Sequence, residues 1–287
     1  MSEIISSLSD VSDRYDAVLC DVWGCFHNGV RPYQAAVEAL KAFRAKGGCA
    51  VLLTNAPRPE GAVLTQLRAM NADEEAWDAI ASSGGAARAS VRDGDWGKKV
   101  YHIGTPGRDD AFFEGAGVEK VRMEDADSIV CTGLRDDRSE TPADYEDELS
   151  EAHLRRLKFL CANPDLVVDV DDKRYYCAGS LALLYREKGG DVTEYGKPHP
   201  QIYDYARRVI TDATGKVVPD DRILCIGDGI RTDVKGAIGE GLDCLFVSGG
   251  LAAEECGPDV ENPDPAMLEQ YLAVHQLSPR YTIGRLR

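Results

Sequence analysis

Three short apolar runs, each ending in polar residues, constrain the fold of this chain more than any other feature. They are Ala17–Asp21 (AVLCD), Cys49–Thr54 (CAVLLT) and residues 222–226 (RILCI). Short apolar runs bounded by turn-forming residues are typical of buried strands. Residues 33–46, between the first two runs, carry apolar side chains at helical spacing, which predicts a helix. Strands that alternate with helices predict βαβ units, and therefore an α/β fold built on a parallel sheet.

The spacing of apolar residues also predicts two helices in the middle of the chain. One covers residues 77–91, interrupted by residues 82–85, and the other covers residues 145–161. Residues 82–85 (SSGG) mark a predicted domain boundary, and the chain is predicted to return to the first domain near Gly179. Residues 1–82 and 179–287 are therefore predicted to form one domain, with residues 83–178 as an insertion.

Polar side chains stand at the end of each predicted strand. Asp21 ends the first run, Thr54 and Asn55 end the second, and Asp228 follows the third. Because the carboxyl ends of parallel strands share one edge of a sheet, these residues are expected to converge there.

Two further residues complete a set that suits phosphoryl transfer. Lys197 lies in a stiff Gly-Lys-Pro turn, and Asp233 follows Asp228 by five positions. In such a set the carboxylates hold Mg²⁺, while lysine and hydroxyl groups neutralise the phosphate oxygens. One carboxylate can also act as a nucleophile and form an aspartyl-phosphate.

Composition excludes several other classes of protein. The formal net charge of -16 argues against a nucleic-acid partner, although a few local cations and a metal still permit a small anionic substrate. No apolar run approaches the roughly 20 residues that span a bilayer, and the N-terminal residues lack the pattern of a secretory signal. The nine cysteines are an odd number without a CxxC pair, which is typical of reduced thiols. We therefore expect a cytoplasmic protein without a membrane partner.

The candidate site residues lie in four sequence motifs, namely DVWGCFHNG from Asp21, LLTNAPR with Thr54, YGKPHP with Lys197, and GDGIRTDVKGA with Asp228 and Asp233. Together the motifs resemble those of the haloacid-dehalogenase (HAD) superfamily of hydrolases, and they occur in the order of that family. The chain specifically resembles subfamily IIA, the group of NagD-type and 4-nitrophenyl phosphatases. The resemblance implies a Rossmann-like core, with a parallel sheet and helices on both faces, and an inserted α/β cap of type C2. It is also compatible with a homodimer, since such caps often take part in dimer contacts.

The resemblance also implies a role for each motif residue. Asp21 would be the catalytic nucleophile, with Thr54 and Lys197 as the other catalytic residues. The implied Mg²⁺ ligands are Asp21, the backbone carbonyl of Trp23, Asp228 and Asp233, the last as a ligand or as an anchor. The implied contacts to the phosphorylated substrate come from Thr54, Asn55 and Lys197, with Trp23 and Arg58 as further candidates.

Trp23 departs from the pattern of most phosphatases in this superfamily. They carry a second aspartate two residues after the nucleophile, which protonates the leaving oxygen and later activates water. An indole can do neither, and a positioned general acid or base contributes on the order of 10²–10⁴-fold in rate. The nearby ionisable candidates are Cys25, His27 and His199, while Trp23 itself is either a wall of the substrate pocket or core packing. The DxWG pattern also resembles one branch of subfamily IIA.

Three functions are compatible with this sequence. The first is a Mg²⁺-dependent phosphatase of a small phosphorylated metabolite, for example a sugar phosphate, that works through an aspartyl-phosphate on Asp21. The second is a phosphometabolite-binding or regulatory protein with little turnover, because Trp23 replaces the acid/base aspartate. The third is a metal-independent hydrolase of the dehalogenase type, since dehalogenases also carry an aromatic residue after the nucleophile.

Overall fold

The computed structural model describes residues 2–170 and 173–287, and these form two compact units. The first unit comprises the described residues of Met1–Thr54, Leu64–Ala81 and Tyr203–Arg287, and the second those of Asn55–Val63 and Ser82–Ile202. The units differ from the predicted domains mainly at residues 55–63 and 179–202, which pack with the second unit. Compactness alone does not define an inserted cap, so the cap at residues 83–178 stays a prediction.

The chain alternates strands and helices as the sequence predicts. In chain order the strands are β1 Glu3–Ile4, β2 Ala17–Asp21, β3 Cys49–Thr54, β4 Ala79–Ser82, β5 Lys99–Ile103, β6 Glu119–Lys120, β7 Ser128–Cys131, β8 Lys158–Cys161, β9 Val167–Val170, β10 Lys173–Tyr176, β11 Val192–Glu194, β12 Ile223–Gly227, β13 Asp243–Val247 and β14 Tyr281–Ile283. The α-helices are α1 Gln34–Ala45, α2 Glu60–Ala69, α3 Ser83–Asp93, α4 Glu146–Leu154, α5 Ala178–Glu187, α6 Pro200–Thr214, α7 Lys235–Gly239 and α8 Pro265–His275. Within the described residues, none of the helices is both long and apolar enough to cross a bilayer.

The sheet of the first unit places β2 near its centre. The strand order is β1-β14-β13-β12-β2-β3-β4, and β2 pairs in parallel with both β12 and β3. Every residue of β2 and β12 is buried. Continuous burial of this kind is typical of a parallel strand covered on both faces. It confirms the predicted parallel sheet of an α/β fold.

The second unit contains a parallel sheet of its own and a separate hairpin. The sheet has the order β11-β8-β7-β5-β6, and β9 pairs antiparallel with β10 in the hairpin. Helices α4 and α5 cover part of this sheet, where the ring of Tyr185 stacks on Phe159 with centroids 5.3 Å apart. The hydroxyl of Tyr185 donates to the carbonyl of Leu157 at 2.5 Å.

Two helix predictions in the middle of the chain are wrong. Residues 77–91 contain strand β4 before helix α3, and residues 145–161 contain helix α4 followed by strand β8. Helix α3 begins only at Ser83, because the hydroxyl of Ser82 accepts the N–H of Gly85 at 2.9 Å and so caps the helix. In β8 the last three residues are all buried, so the strand lacks alternation and periodicity cannot distinguish it from a helix.

Candidate active site

Two carboxylates meet at the carboxyl edge of the first unit's sheet. Asp21 is the last residue of β2, and Asp228 directly follows β12, the neighbouring parallel strand. Both are buried, with 7% and 3% of their surface exposed. The ligand atoms of Asp21, Asp228 and Cys25 all lie within 4.8 Å of one another. Since two buried carboxylates at this separation repel each other, the arrangement favours a cation between them.

Glycines make room for the carboxylate of Asp228. A Cβ atom added at Gly24 would lie 2.2 Å from Oδ2 of Asp228, and one added at Gly250 would lie 2.1 Å from it. The N–H of Leu251 donates to the same oxygen at 3.0 Å. None of the four sequence motifs had pointed to Gly250 and Leu251 as part of the site. The Ser-Gly-Gly that follows β13 was the available signal, because it is another turn at the carboxyl end of a buried strand.

We expect Gly24→Ala to weaken metal binding as well as stability. Gly24 has a φ of +84°, a conformation that costs a residue with a Cβ about 1–2 kcal/mol, and the new methyl group would also displace Asp228. Changes around metal ligands typically reduce metal affinity about 10–100-fold. Gly47→Ala is the matched control, because Gly47 has a φ of +91° but no atom within 4 Å of an added Cβ. Mg²⁺ titration and thermal unfolding of both variants test this, and equal Mg²⁺ affinities would contradict it.

Asp233 braces the loop that carries Asp228. Its Oδ2 accepts the N–H of Gly229 at 3.1 Å and the hydroxyl of Thr232 at 3.2 Å. A Cβ atom at Gly227 would lie 2.2 Å from the Cβ of Asp233, so the backbone of β12 packs directly on this side chain. These contacts suit the anchoring role that the sequence left open for Asp233.

The donors at this edge fit Mg²⁺. Magnesium prefers carboxylate and carbonyl oxygens, and Asp21 and Asp228 present carboxylates from adjacent rigid strands. Cys25 does not offer a competing thiolate, because burial and the nearby charges of Asp228 and Asp21 raise the pKa of its thiol well above the usual range. The thiol is therefore a neutral neighbour of the two carboxylates and not an activated nucleophile.

Trp23 lies at the surface of the first unit and not in its core. Its side chain is 38% exposed, and its ring covers Gly29, where an added Cβ would lie 2.2 Å from Cη2 of the indole. The ring also meets His27 edge to face, with centroids 5.5 Å apart. This exposure argues against core packing, and Trp23 as a wall of the substrate pocket stays a prediction.

Two of the three candidate acid/base residues, His27 and His199, form contacts with other groups. His27 is buried and accepts the N–H of Gly29 on Nδ1 at 2.9 Å, and burial lowers the pKa of its imidazole. His199, in the second unit, has its Nε2 3.2 Å from Oε2 of Glu194. A general acid or base among Cys25, His27 and His199 therefore stays a prediction.

Asn55 and Lys197 form a second group of site residues, within the second unit. Lys197 is only 3% exposed. Asn55 pairs with both backbone polar groups of Lys197, since Oδ1 accepts its N–H at 2.7 Å and Nδ2 donates to its carbonyl at 3.1 Å. Nδ2 of Asn55 also donates to Asp165 at 2.9 Å. Asn55 thus positions the backbone of Lys197, a role that the sequence had not indicated. Asp165 is an additional member of the group.

Thr54 and Arg58 lie on either side of Asn55. Thr54 ends β3, one residue beyond Leu53, which pairs with Asp21 across the sheet. Thr54 and Asp21 therefore share one edge of the first unit. Arg58 belongs to the second unit, where its carbonyl accepts the hydroxyl of Ser82 at 2.8 Å. Burial lowers the pKa of the Arg58 guanidinium, and the nearby charge of Arg108 lowers it further.

The structure thus brings Asp21, Thr54 and Asp228 to one edge of the first unit, with Asp233 behind Asp228. It brings Asn55 and Lys197 together in the second unit. The convergence of Lys197 with Asp21, and the backbone carbonyl of Trp23 as a metal ligand, stay predictions.

Two family models match separate parts of the chain. A model described as haloacid dehalogenase-like hydrolase matches residues 18–119, and one described as HAD-hydrolase-like matches residues 194–273. Together they include all four motifs.

Known proteins resemble the chain over most of its length. The structure of a haloacid dehalogenase-like hydrolase from Brucella suis 1330 matches with a TM-score of 0.84 and 39% identity, over 99% of this chain and 100% of that one. The ribonucleotide monophosphatase NagD of Escherichia coli K12 is 25% identical over 82% of this chain and 88% of its own length. The p-nitrophenyl phosphatase from Archaeoglobus fulgidus shares the fold, with a TM-score of 0.71 and 24% identity over 94% of this chain and 96% of that one.

Proposed function

This chain belongs to the haloacid dehalogenase-like hydrolases, and we propose that it is a Mg²⁺-dependent phosphatase of a small phosphorylated metabolite. The observation that carries the proposal is the buried pair of Asp21 and Asp228, whose carboxylates meet at the ends of adjacent parallel strands. The phosphatase activities of the NagD and p-nitrophenyl phosphatase relatives support the same reaction.

Asp21 and Asp228 would hold the metal ion, together with the backbone carbonyl of Trp23. When bound, a divalent cation neutralises phosphate oxygens and offsets the repulsion between the two carboxylates. Asp233 keeps the loop of Asp228 in place, and the glycines around Asp228 leave room for its carboxylate.

Residues of the chain carry out the transfer of the phosphoryl group itself. An oxygen of Asp21 attacks phosphorus, the bond from phosphorus to the ester oxygen breaks, and the phosphoryl group is carried on Asp21. Thr54 and Lys197 bind the phosphoryl oxygens and stabilise their charge. Water then attacks phosphorus, which releases inorganic phosphate and restores the carboxylate of Asp21. Because Trp23 cannot donate a proton, the leaving alkoxide takes its proton from solvent.

Removal of the metal should abolish hydrolysis of p-nitrophenyl phosphate, and added Mg²⁺ should restore it. Binding of Mg²⁺ to the folded protein alone should also raise the free energy of unfolding, by about 2.7 kcal/mol at a concentration 100 times the dissociation constant. Both effects can be measured after dialysis against EDTA, with Asp228→Asn as the variant that should lose them. Hydrolysis that persists in EDTA would contradict the metal dependence, and chloride release from 2-haloacids under the same conditions would favour the dehalogenase alternative.

The exposed indole of Trp23 favours one competing function, a protein that binds phosphometabolites with little turnover. Saturable binding of phosphate esters, measured by calorimetry, without hydrolysis of any ester in a broad panel would establish that function. Turnover of p-nitrophenyl phosphate that depends on Asp21 would exclude it.

A further inference from the structure

The second unit contains a cleft that the reaction described above does not use. Its volume is about 480 Å³, and its lining residues are Asp137, Arg138, Lys173, Arg174 and Tyr175. Three of the five side chains are cationic, in a chain whose formal net charge is -16. A volume of this order accommodates part of a small metabolite. The local reversal of charge indicates an anionic occupant.

Asp137, the one acid among the described residues that line the cleft, already has a cationic partner. Arg108 contacts Asp137 and also Asp109, with Nε 3.1 Å from Oδ1 of Asp109. Asp109 is itself buried and accepts the N–H of Thr105 at 2.9 Å and the hydroxyl of Thr132 at 2.7 Å. Arg108 is thus held in place and offsets the charge of Asp137. The sign of the charge in the cleft is therefore determined by the cationic side chains that line it.

Two of those cations are available to a ligand. Arg138 and Lys173 are exposed, and among the residues that the structure describes neither side chain forms an ion pair. Guanidinium groups bind carboxylates and phosphates through paired hydrogen bonds, and an ammonium group adds a mobile charge. Tyr175 contributes a partly buried ring to the same lining.

The cleft lies at the same edge of the second unit as Lys197. The strands β5, β7, β8 and β11 are parallel, so the segments that follow them emerge at one edge of the sheet. The segments after these strands carry, in turn, Arg108, Arg138, Asp165 and Lys197.

Interactions within the unit connect the two ends of this edge. Asp165 accepts a hydrogen bond from Asn55, which holds Lys197. The pKa of the buried Cys177 thiol, which burial raises to about 12, also responds to Asp165, Asp137 and Arg108. Cys177 therefore lies close to both the Lys197 group and the wall of the cleft.

We propose that this cleft is a subsite for a second anionic group on the substrate. The preferred substrates would then be phosphate monoesters that carry a carboxylate or a second phosphate away from the scissile phosphoryl group. This inference rests on the proposed function, because there Lys197 binds the phosphoryl group at the other end of the same edge.

Matched pairs of substrates test the subsite. In the first pair, glycerol 3-phosphate carries an alcohol where 3-phosphoglycerate carries a carboxylate. In the second pair, glucose 1,6-bisphosphate carries a second phosphate that glucose 6-phosphate lacks. The wild-type protein should show a kcat/KM about 10-fold higher for the anionic member of at least one pair, equivalent to about 1.4 kcal/mol. The pair that shows the preference identifies the anion as a carboxylate or a phosphate. The double variant Arg138→Gln/Lys173→Gln should lose the preference through KM, with kcat unchanged.

Lys158→Gln is the matched control for loss of charge. Lys158 is exposed at the amino end of β8, at the opposite edge of the same sheet, so its substitution should leave the preference intact. A wild-type protein without preference in either pair would overturn the subsite, while hydrolysis of p-nitrophenyl phosphate would still support the phosphatase.

If nothing is hydrolysed, the proposed function fails and the subsite is judged by binding alone. Calorimetric titration of the wild-type protein and the double variant with 3-phosphoglycerate, glycerol 3-phosphate and both glucose phosphates then decides. Weaker binding of an anionic member to the double variant supports the subsite, and equal binding to both proteins contradicts it.

Discussion

Asp21→Asn should reduce hydrolysis of p-nitrophenyl phosphate by about 10³-fold or more, because an amide cannot act as the attacking nucleophile. The wild-type protein mixed with labelled phosphate ester and quenched in acid should carry the label on the chain, whereas the variant should not. The side chain is buried at the end of a central strand, and asparagine has nearly the same shape. Thermal unfolding should therefore show a folded variant.

Asp16→Asn is the matched control. Asp16 immediately precedes β2, at the opposite end of the strand that Asp21 terminates, and it pairs with Arg222 at 2.7 Å on the surface. Exposed ion pairs contribute about 0–1 kcal/mol to stability, so this variant should remain folded and active. Equal activity of Asp21→Asn and the wild-type protein would remove Asp21 as the nucleophile and, with it, the proposed mechanism.

Trp23→Asp should accelerate hydrolysis of alkyl phosphates by about 10²–10⁴-fold, the usual contribution of a positioned general acid or base. The new carboxyl group could protonate the leaving alkoxide, which the indole cannot do. The gain should be much smaller for p-nitrophenyl phosphate, because nitrophenolate leaves without a proton. The ratio of kcat for an alkyl phosphate to kcat for p-nitrophenyl phosphate is therefore the quantity to measure.

Trp23→Phe separates the chemistry of the new carboxyl group from the loss of the indole. Phenylalanine shortens the ring that covers Gly29 without adding an acid, and the 38% exposure of Trp23 indicates that neither variant is prevented from folding. A similar rise in rate in both variants would show that the effect comes from the loss of the indole and not from the new carboxyl group. No rise with Trp23→Asp would show that proton transfer does not limit the rate.

Much of the fold follows from local patterns in the sequence. The runs that form β2, β3 and β12 are short, apolar and bounded by turn residues, and each becomes a buried strand. Helix α1 buries Ala36, Val37, Leu40 and Phe43, which are the residues that its spacing selects. These elements are predictable because each carries its full signal within a few residues.

The errors arose where burial removes that signal. The last three residues of β8 are all buried and β4 adjoins the cap of α3, so neither strand shows the alternation of a half-buried strand. Whether these two segments form strands depends on the neighbouring strands in the sheet, and those neighbours are distant in sequence.

The positions of Asp21, Thr54 and Asp228 at the ends of parallel strands could be predicted from sequence, because strand direction and connection rules bring such ends to one edge. The surroundings of these residues could not be predicted, because they depend on how distant segments pack. The glycines against Asp228, the amide of Asn55 on the backbone of Lys197, and the exposed indole of Trp23 are contacts between segments or side-chain positions that no local pattern encodes. The physical reason is that spacing specifies which residues share an edge, whereas packing of the whole chain determines which atoms touch.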